Sequence, residues 1–180
     1  MAVNLKNTHY MPVDMDIKCK VVLSNGSVTF SCLLIVGLGV LSYLFFTHGE
    51  LWAAVVAAAA LLALVAGALL YAPAYIGLDG DTLVIGHPLR VRRLPVGEIA
   101  DVRVCPPTMG ARRLFGSGGF LGYWGVFSER DLGRYTAFHG RASDCFLVTL
   151  RDGRKYLLGC EDYPAMVSSI KSRMAEAVPA

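Results

Sequence analysis

The chain has 180 residues, of which 54% are hydrophobic and 17% charged, and its formal charge at pH 7 is +3. So small a surplus is not the signature of a nucleic-acid binder, and so large an apolar share argues against an ordinary water-exposed domain. Five cysteines without a C-x-x-C spacing and four scattered histidines outline no metal site, and neither metal nor cofactor is expected.

Residues 1–27 form a leading segment with a pattern of its own. Val13, Met15, Ile17, Cys19 and Val21 fall on odd positions, and Asp14, Asp16, Lys18 and Lys20 fill the even ones. A period of two predicts a half-buried strand over 13–21. A single strand is unstable, so this one is expected to pair with or shelter the edge of a sheet further along the chain.

Residues 28–46 and 51–71 are uncharged runs of 19 and 21 residues. About 20 helical residues cross a hydrocarbon core of about 30 Å, so each run predicts one transmembrane helix that satisfies its own backbone. The connection Thr47-His48-Gly49-Glu50 makes the helices antiparallel neighbours. A cleaved signal peptide does not fit, because the second run follows at once and no clear cleavage site intervenes. Gly37, Gly39 and Ser42 in the first run, and Ala53, Ala57, Ala60, Ala63 and Gly67 in the second, predict a close packing face. Trp52 and Tyr71 bracket the second run, where amphipathic rings prefer the interface. The connecting loop has no Lys or Arg, whereas Lys6, Lys18 and Lys20 precede the hairpin and Arg90, Arg92 and Arg93 follow it. The positive-inside tendency predicts a multi-pass protein with both termini in the cytoplasm.

Residues 74–180 suffice for one small core. Tyr75 to Leu78 and Thr82 to Gly86 flank an Asp-Gly turn, a strong hairpin signal. Leu89 to Leu94 and Ile99 to Cys105 alternate as strands do, and Arg134 to Phe138 is a further candidate. Cys145 to Leu150 and Lys155 to Leu158 form a second hairpin around Arg151-Asp152-Gly153-Arg154. Asp162 as N-cap, Pro164 in the first turn and an apolar stripe through Met166, Val167, Ile170 and Met174 predict a helix over about 162–177. About seven short strands and one helix give an α+β class: a transmembrane hairpin, then a mostly antiparallel barrel or sandwich capped by a C-terminal helix.

The run from Arg112 to Tyr135 is rich in glycine and aromatic residues. A dinucleotide fingerprint does not fit, because aromatics interrupt the glycines and no Gly-Lys-Ser/Thr ending follows. In one reading the glycines make bends and close backbone contacts while Phe115, Phe120, Tyr123, Trp124 and Phe127 fill the domain. In the other, aromatics such as Phe120, Tyr123 and Trp124 rest at the bilayer interface, and Arg112, Arg113, Arg130 and Arg134 meet lipid phosphates or a partner. The two readings are compatible.

The run Arg113 to Phe127, the segment Leu132-Gly-Arg-Tyr135, Leu94-Pro95 before Glu98-Ile-Ala-Asp-Val102, and Glu161-Asp-Tyr-Pro164 before the helix resemble bacterial pleckstrin-homology-like membrane proteins. The resemblance covers about residues 74–177. It implies a seven-stranded barrel capped by a C-terminal helix in the bacterial cytoplasmic (inner) membrane, and it carries over no catalytic residue. The leading functional expectation is therefore a membrane-anchored module for protein interaction or membrane-surface recognition at the cytoplasmic face. Its expected partners are the lipid bilayer and an unknown protein, with no nucleic acid, and the alanine-rich second span allows a homo-oligomer. The alternatives are an enzyme built on Cys145 and His139, the one Cys/His pair close in sequence, or a subunit of an oligomeric membrane complex or transporter.

Overall fold

The computed structural model describes residues 15–108 and 110–176. The alternating leading segment enters a sheet: strand β1 (Ile17–Lys20) pairs antiparallel with β2 (Tyr75–Asp79), Cys19 opposite Ile76. Cys19 points into the core and the two lysines stay exposed, as a period of two dictates. Residues 13 and 14 lie outside the described residues. The chain then stays pinned: Val21 donates to the Ala74 carbonyl at 3.1 Å and Ser24 to that of Gly140 at 3.2 Å. Ser24 also caps helix α1 (Asn25–Thr47) by accepting from the Ser27 amide at 3.1 Å.

Helix α2 (Leu51–Tyr71) runs back antiparallel to α1. Both are long and apolar enough to cross a membrane, and only 6% and 22% of their apolar windows are covered by the rest of the chain. They are therefore not core helices of the protein's own fold. The inward stripe of α1 runs through Ser27, Ser31, Leu34, Leu38 and Ser42, with Ala53, Ala54, Ala57 and Ala68 buried on α2. Near the loop, Ser42 Oγ donates to the Ala54 carbonyl at 3.0 Å. Of the small residues expected on the packing face, Ala53 and Ala57 are buried and Gly39, Ser42 and Gly67 half-buried, while Gly37, Ala60 and Ala63 are exposed and an added Cβ on Gly37 or Gly39 would meet nothing.

The domain is an open sandwich of two sheets, and the implied seven-stranded closed barrel is corrected accordingly. The first sheet has the order β1-β2-β3-β4, with β3 at Thr82–Gly86 and β4 at Val91–Pro95. The second has the order β5-β9-β10-β8-β7-β6. Its strands are β5 (Ile99–Val104), β6 (Arg112–Gly119), β7 (Gly122–Glu129), β8 (Gly133–His139), β9 (Cys145–Leu150) and β10 (Lys155–Gly159). Among the described residues β10 and β8 pair in parallel and the other strand pairs are antiparallel. Ile76, Leu78, Leu83 and Ile85 of the first sheet meet Phe146, Val148 and Leu158 of the second in one buried core. Helix α3 (Tyr163–Glu176) adds Met166 and Ile170 to it. Asp162 caps α3, its carboxylate accepting from the Ala165 amide at 3.4 Å and its carbonyl from that of Met166 at 3.1 Å.

Candidate functional site

The glycine-aromatic stretch forms a long hairpin, β6 and β7. Gly116 and Gly125 stand opposite one another at φ +103° and +122°, and a Cβ on either would collide with the backbone of the facing strand. Five residues of straight strand span about 16 Å. Yet Arg113 Cδ lies 3.6 Å from where a Cβ on Gly118 would sit. The hairpin is thus sharply bent, with a bulge between Arg113 and Phe115 adding to the curvature.

The bend delivers the hairpin tip to the two apolar helices. Phe120 is buried against Ala68 and Ala72 of the α2 end. The Leu121 amide donates to Ser31 Oγ at 2.8 Å, and Ser31 Oγ donates to the Ser27 carbonyl at 2.6 Å. Leu121 holds φ +49°, a left-handed conformation unusual for a residue with a side chain. The remaining polar groups of the tip satisfy one another. Ser117 Oγ donates to the Phe120 carbonyl and accepts from its amide, both at 3.0 Å. Trp124 Nε1 donates to the same carbonyl at 3.1 Å, and its ring stacks on Tyr71 at 5.9 Å.

A second fastening lies in the β3–β4 loop. The Leu89 amide donates to the Leu69 carbonyl of α2 at 3.0 Å. His87 Nδ1 donates to the Ala72 carbonyl at 3.2 Å, and burial holds its imidazole below the ordinary pKa. The Arg90 guanidinium sits 6.0 Å from the Tyr71 ring centre. Leu89 is left 60% exposed beside the helix end.

Between the hairpin and the helices lies a groove of about 310 Å³. Phe30 and Leu34 of α1, Leu64 and Gly67 of α2, and Trp124 form apolar walls, with Arg113 the one charged side chain in the lining. Residues 75–174, from the start of β2 almost to the end of α3, match a family described as "Bacterial PH domain". The chain belongs to that family. No curated protein and no solved structure matches it.

Within the PH domain the expected site residues separate into three groups. Phe120 and Trp124 dock on the helices, and Arg113 joins the groove. Arg112 and Arg134 flank Ser128 in one cross-strand row at the end away from the tip, and exposed Arg130 follows in the next turn. Tyr123 belongs to neither group; it stacks on His139 at 5.0 Å. Sequence reasoning missed Ser31, Leu89 and Leu114. It also took Phe115, 75% exposed beside Leu114, for a possible core residue. An Arg-Arg-Leu-Phe quartet opening an edge strand was the available signal.

The Cys145–His139 pair is brought to β9 and β8, the two strands that flank β10, on either side of Gly159 but not into contact as a hydrogen-bonded couple. Cys145 Sγ donates to the Arg141 carbonyl at 3.1 Å. Burial pushes its thiol up, and burial pulls the His139 imidazole down to about 4. A nucleophile and its base need the opposite shifts. Nearby, Glu129 is buried and accepts from the Thr108 amide at 3.0 Å and from the Thr108 hydroxyl. Tyr135 is held up to about 12, first by burial and then by the Glu129 carboxylate.

Proposed function

We propose that this PH domain is a non-catalytic membrane-surface module. In this reading α1 and α2 cross the bacterial inner membrane, and β1 and the PH domain lie at the cytoplasmic face. The β6–β7 hairpin and the β3–β4 loop rest in the headgroup layer, where they recognise anionic lipid. The carrying observation is the docked hairpin tip: a PH-domain hairpin is fastened to the end of two helices long enough to span a bilayer. That position sets exposed Leu114, Phe115 and Leu89 beside arginines, the pairing of apolar anchor and phosphate ligand that interfaces favour. The absence of Lys and Arg from the Thr47–Glu50 connection favours this orientation. The neutral, desolvated Cys145 and His139 favour a role without catalysis.

The test uses the full chain in nanodiscs, with Trp52→Phe leaving Trp124 as the only indole. Lipids brominated near the carbonyl should quench Trp124 strongly and should quench it no less in anionic bilayers. An unquenched Trp124 would place the hairpin in water and overturn the reading.

A further inference from the structure

We propose that the groove between α1, α2 and the β6–β7 hairpin is a binding site for one anionic glycerophospholipid, with an acyl chain between the helices and tip and the phosphate on Arg113. This deepens the membrane-surface reading and rests on it. At 1.5 Å rise per residue, Gly67 and Leu64 lie about 6 and 10 Å inside the Tyr71 end of α2. The groove therefore opens at the depth of the upper acyl chains, where water does not fill it. Its walls at Phe30, Leu34, Leu64 and Trp124 offer an acyl chain only apolar contact. Its volume of about 310 Å³ falls at the small end of ligand sites.

The polar chemistry is confined to one place. Ser117 is fully engaged with Phe120, so the groove floor asks nothing of a ligand. Arg113 is different. Its Nη1 lies 3.5 Å from the Cβ position of Gly118, laid over the bare glycine surface of the bent strand. Among the described residues it has no carboxylate partner. A planar guanidinium at an apolar groove mouth matches a phosphodiester bidentately. A zwitterionic headgroup would bring its own cation against the Arg113 guanidinium, so the anionic class is preferred. Cytoplasmic leaflets supply it.

The site can be read by native mass spectrometry of the full chain released from nanodiscs of mixed phosphatidylglycerol and phosphatidylethanolamine. One phosphatidylglycerol should remain bound. Gly67 is helical and an added Cβ meets only Trp124 at 3.8 Å, so Gly67→Leu fills the groove without a backbone clash, and Gly67→Ala is its control. Gly67→Leu should abolish retention and Gly67→Ala should keep it. Arg113→Gln should weaken the preference for phosphatidylglycerol about tenfold, the scale of one charge-assisted hydrogen bond, whereas Arg134→Gln should not. Equal retention by the wild type and Gly67→Leu, or a preference indifferent to Arg113, would overturn the proposal. Bromolipid quenching of Trp124 separates the two failures. Quenching without a retained lipid removes only the groove site, and loss of both removes the membrane-surface reading as well.

Discussion

Removing the Ser31 hydroxyl tests the junction that holds the hairpin tip against the helix pair. Ser31 Oγ accepts from the Leu121 amide at 2.8 Å, and Leu121 sits in a left-handed conformation at φ +49° that something must hold in place. Ser31→Ala leaves that amide without its acceptor, at a cost of about 1–3 kcal/mol for an unmet partially buried donor. Left-handed backbone at a residue with a side chain carries a further strain of about 1–2 kcal/mol, so the tip has little reserve once its anchor is gone. If tip opening controls exchange, the Leu121 amide should lose protection by about 5- to 150-fold, since each 1.36 kcal/mol is a factor of ten. Hydrogen–deuterium exchange on the peptide holding Leu121 measures this in the full chain. Ser31→Thr keeps a hydroxyl and should restore most of the protection. Core amides such as those of Phe146 and Val148 should stay unchanged in both variants, because the hairpin opens without the sandwich. Unaltered exchange at Leu121 in Ser31→Ala would refute the reasoning, since the tip would then be held by something other than this bond.

Three further outcomes follow from particular residues. Gly125→Ala places a Cβ against the Phe115 carbonyl at φ +122° and should cost at least about 3 kcal/mol, lowering the melting temperature by about 6 °C or more, while Gly97→Ala, with open space around it, should melt within a degree or two of the wild type. His139 is 4% exposed and its pKa falls from 6.5 to about 4 on folding, so its neutral form is the folded one. Stability should be complete above pH 6.5 and decline as pH falls towards 4, by up to about 3 kcal/mol; denaturant titrations at pH 7.5 and 5 should show this, and His139→Phe should flatten the slope. Cys145 is fully buried with its thiol pushed up, so a maleimide located by peptide mass spectrometry should reach it only after denaturation, and rapid labelling of the native chain would contradict that burial.

The parts of the fold written in the sequence are those whose periodicity is unbroken. The uncharged run over 51–71 and α2 coincide, and α1 extends three residues before and one beyond the expected 28–46, because Ser24 is the first residue able to cap it. The helix expected over about 162–177 forms over Tyr163–Glu176, with Asp162 as its cap and Ala177 outside the described residues. The β6–β7 hairpin was hidden for a physical reason. Its glycines have no side chain to alternate, and cross-strand pairs Gly116–Gly125 and Gly119–Gly122 replace the apolar pairs that mark most hairpins. Its bend depends on two glycines approaching each other from different strands, which no local window contains. The groove was hidden likewise, because Phe30, Leu64 and Arg113 meet only after the helices turn back and the hairpin folds over them.

The same junction limits what kind of module this can be. A domain on a free linker samples a range of heights above a bilayer, but no such linker exists here. Between α2 and β2 only residues 72–74 intervene, and Ala74 is bonded to Gly86 at 2.8 Å and to Val21 at 3.1 Å. On the other side, β1 passes through Val21 to the Ser24 cap, with Gly140 holding the Ser24 amide. Two chain crossings, the Leu89–Leu69 bond and the Leu121–Ser31 bond thus fix the PH domain to the helix pair at four points. Its orientation is built into the fold. In the bilayer setting proposed above, a ligand is selected by depth as well as by chemistry, and a phosphate at the level of Arg113 with its chain beside Gly67 meets both conditions of that proposal.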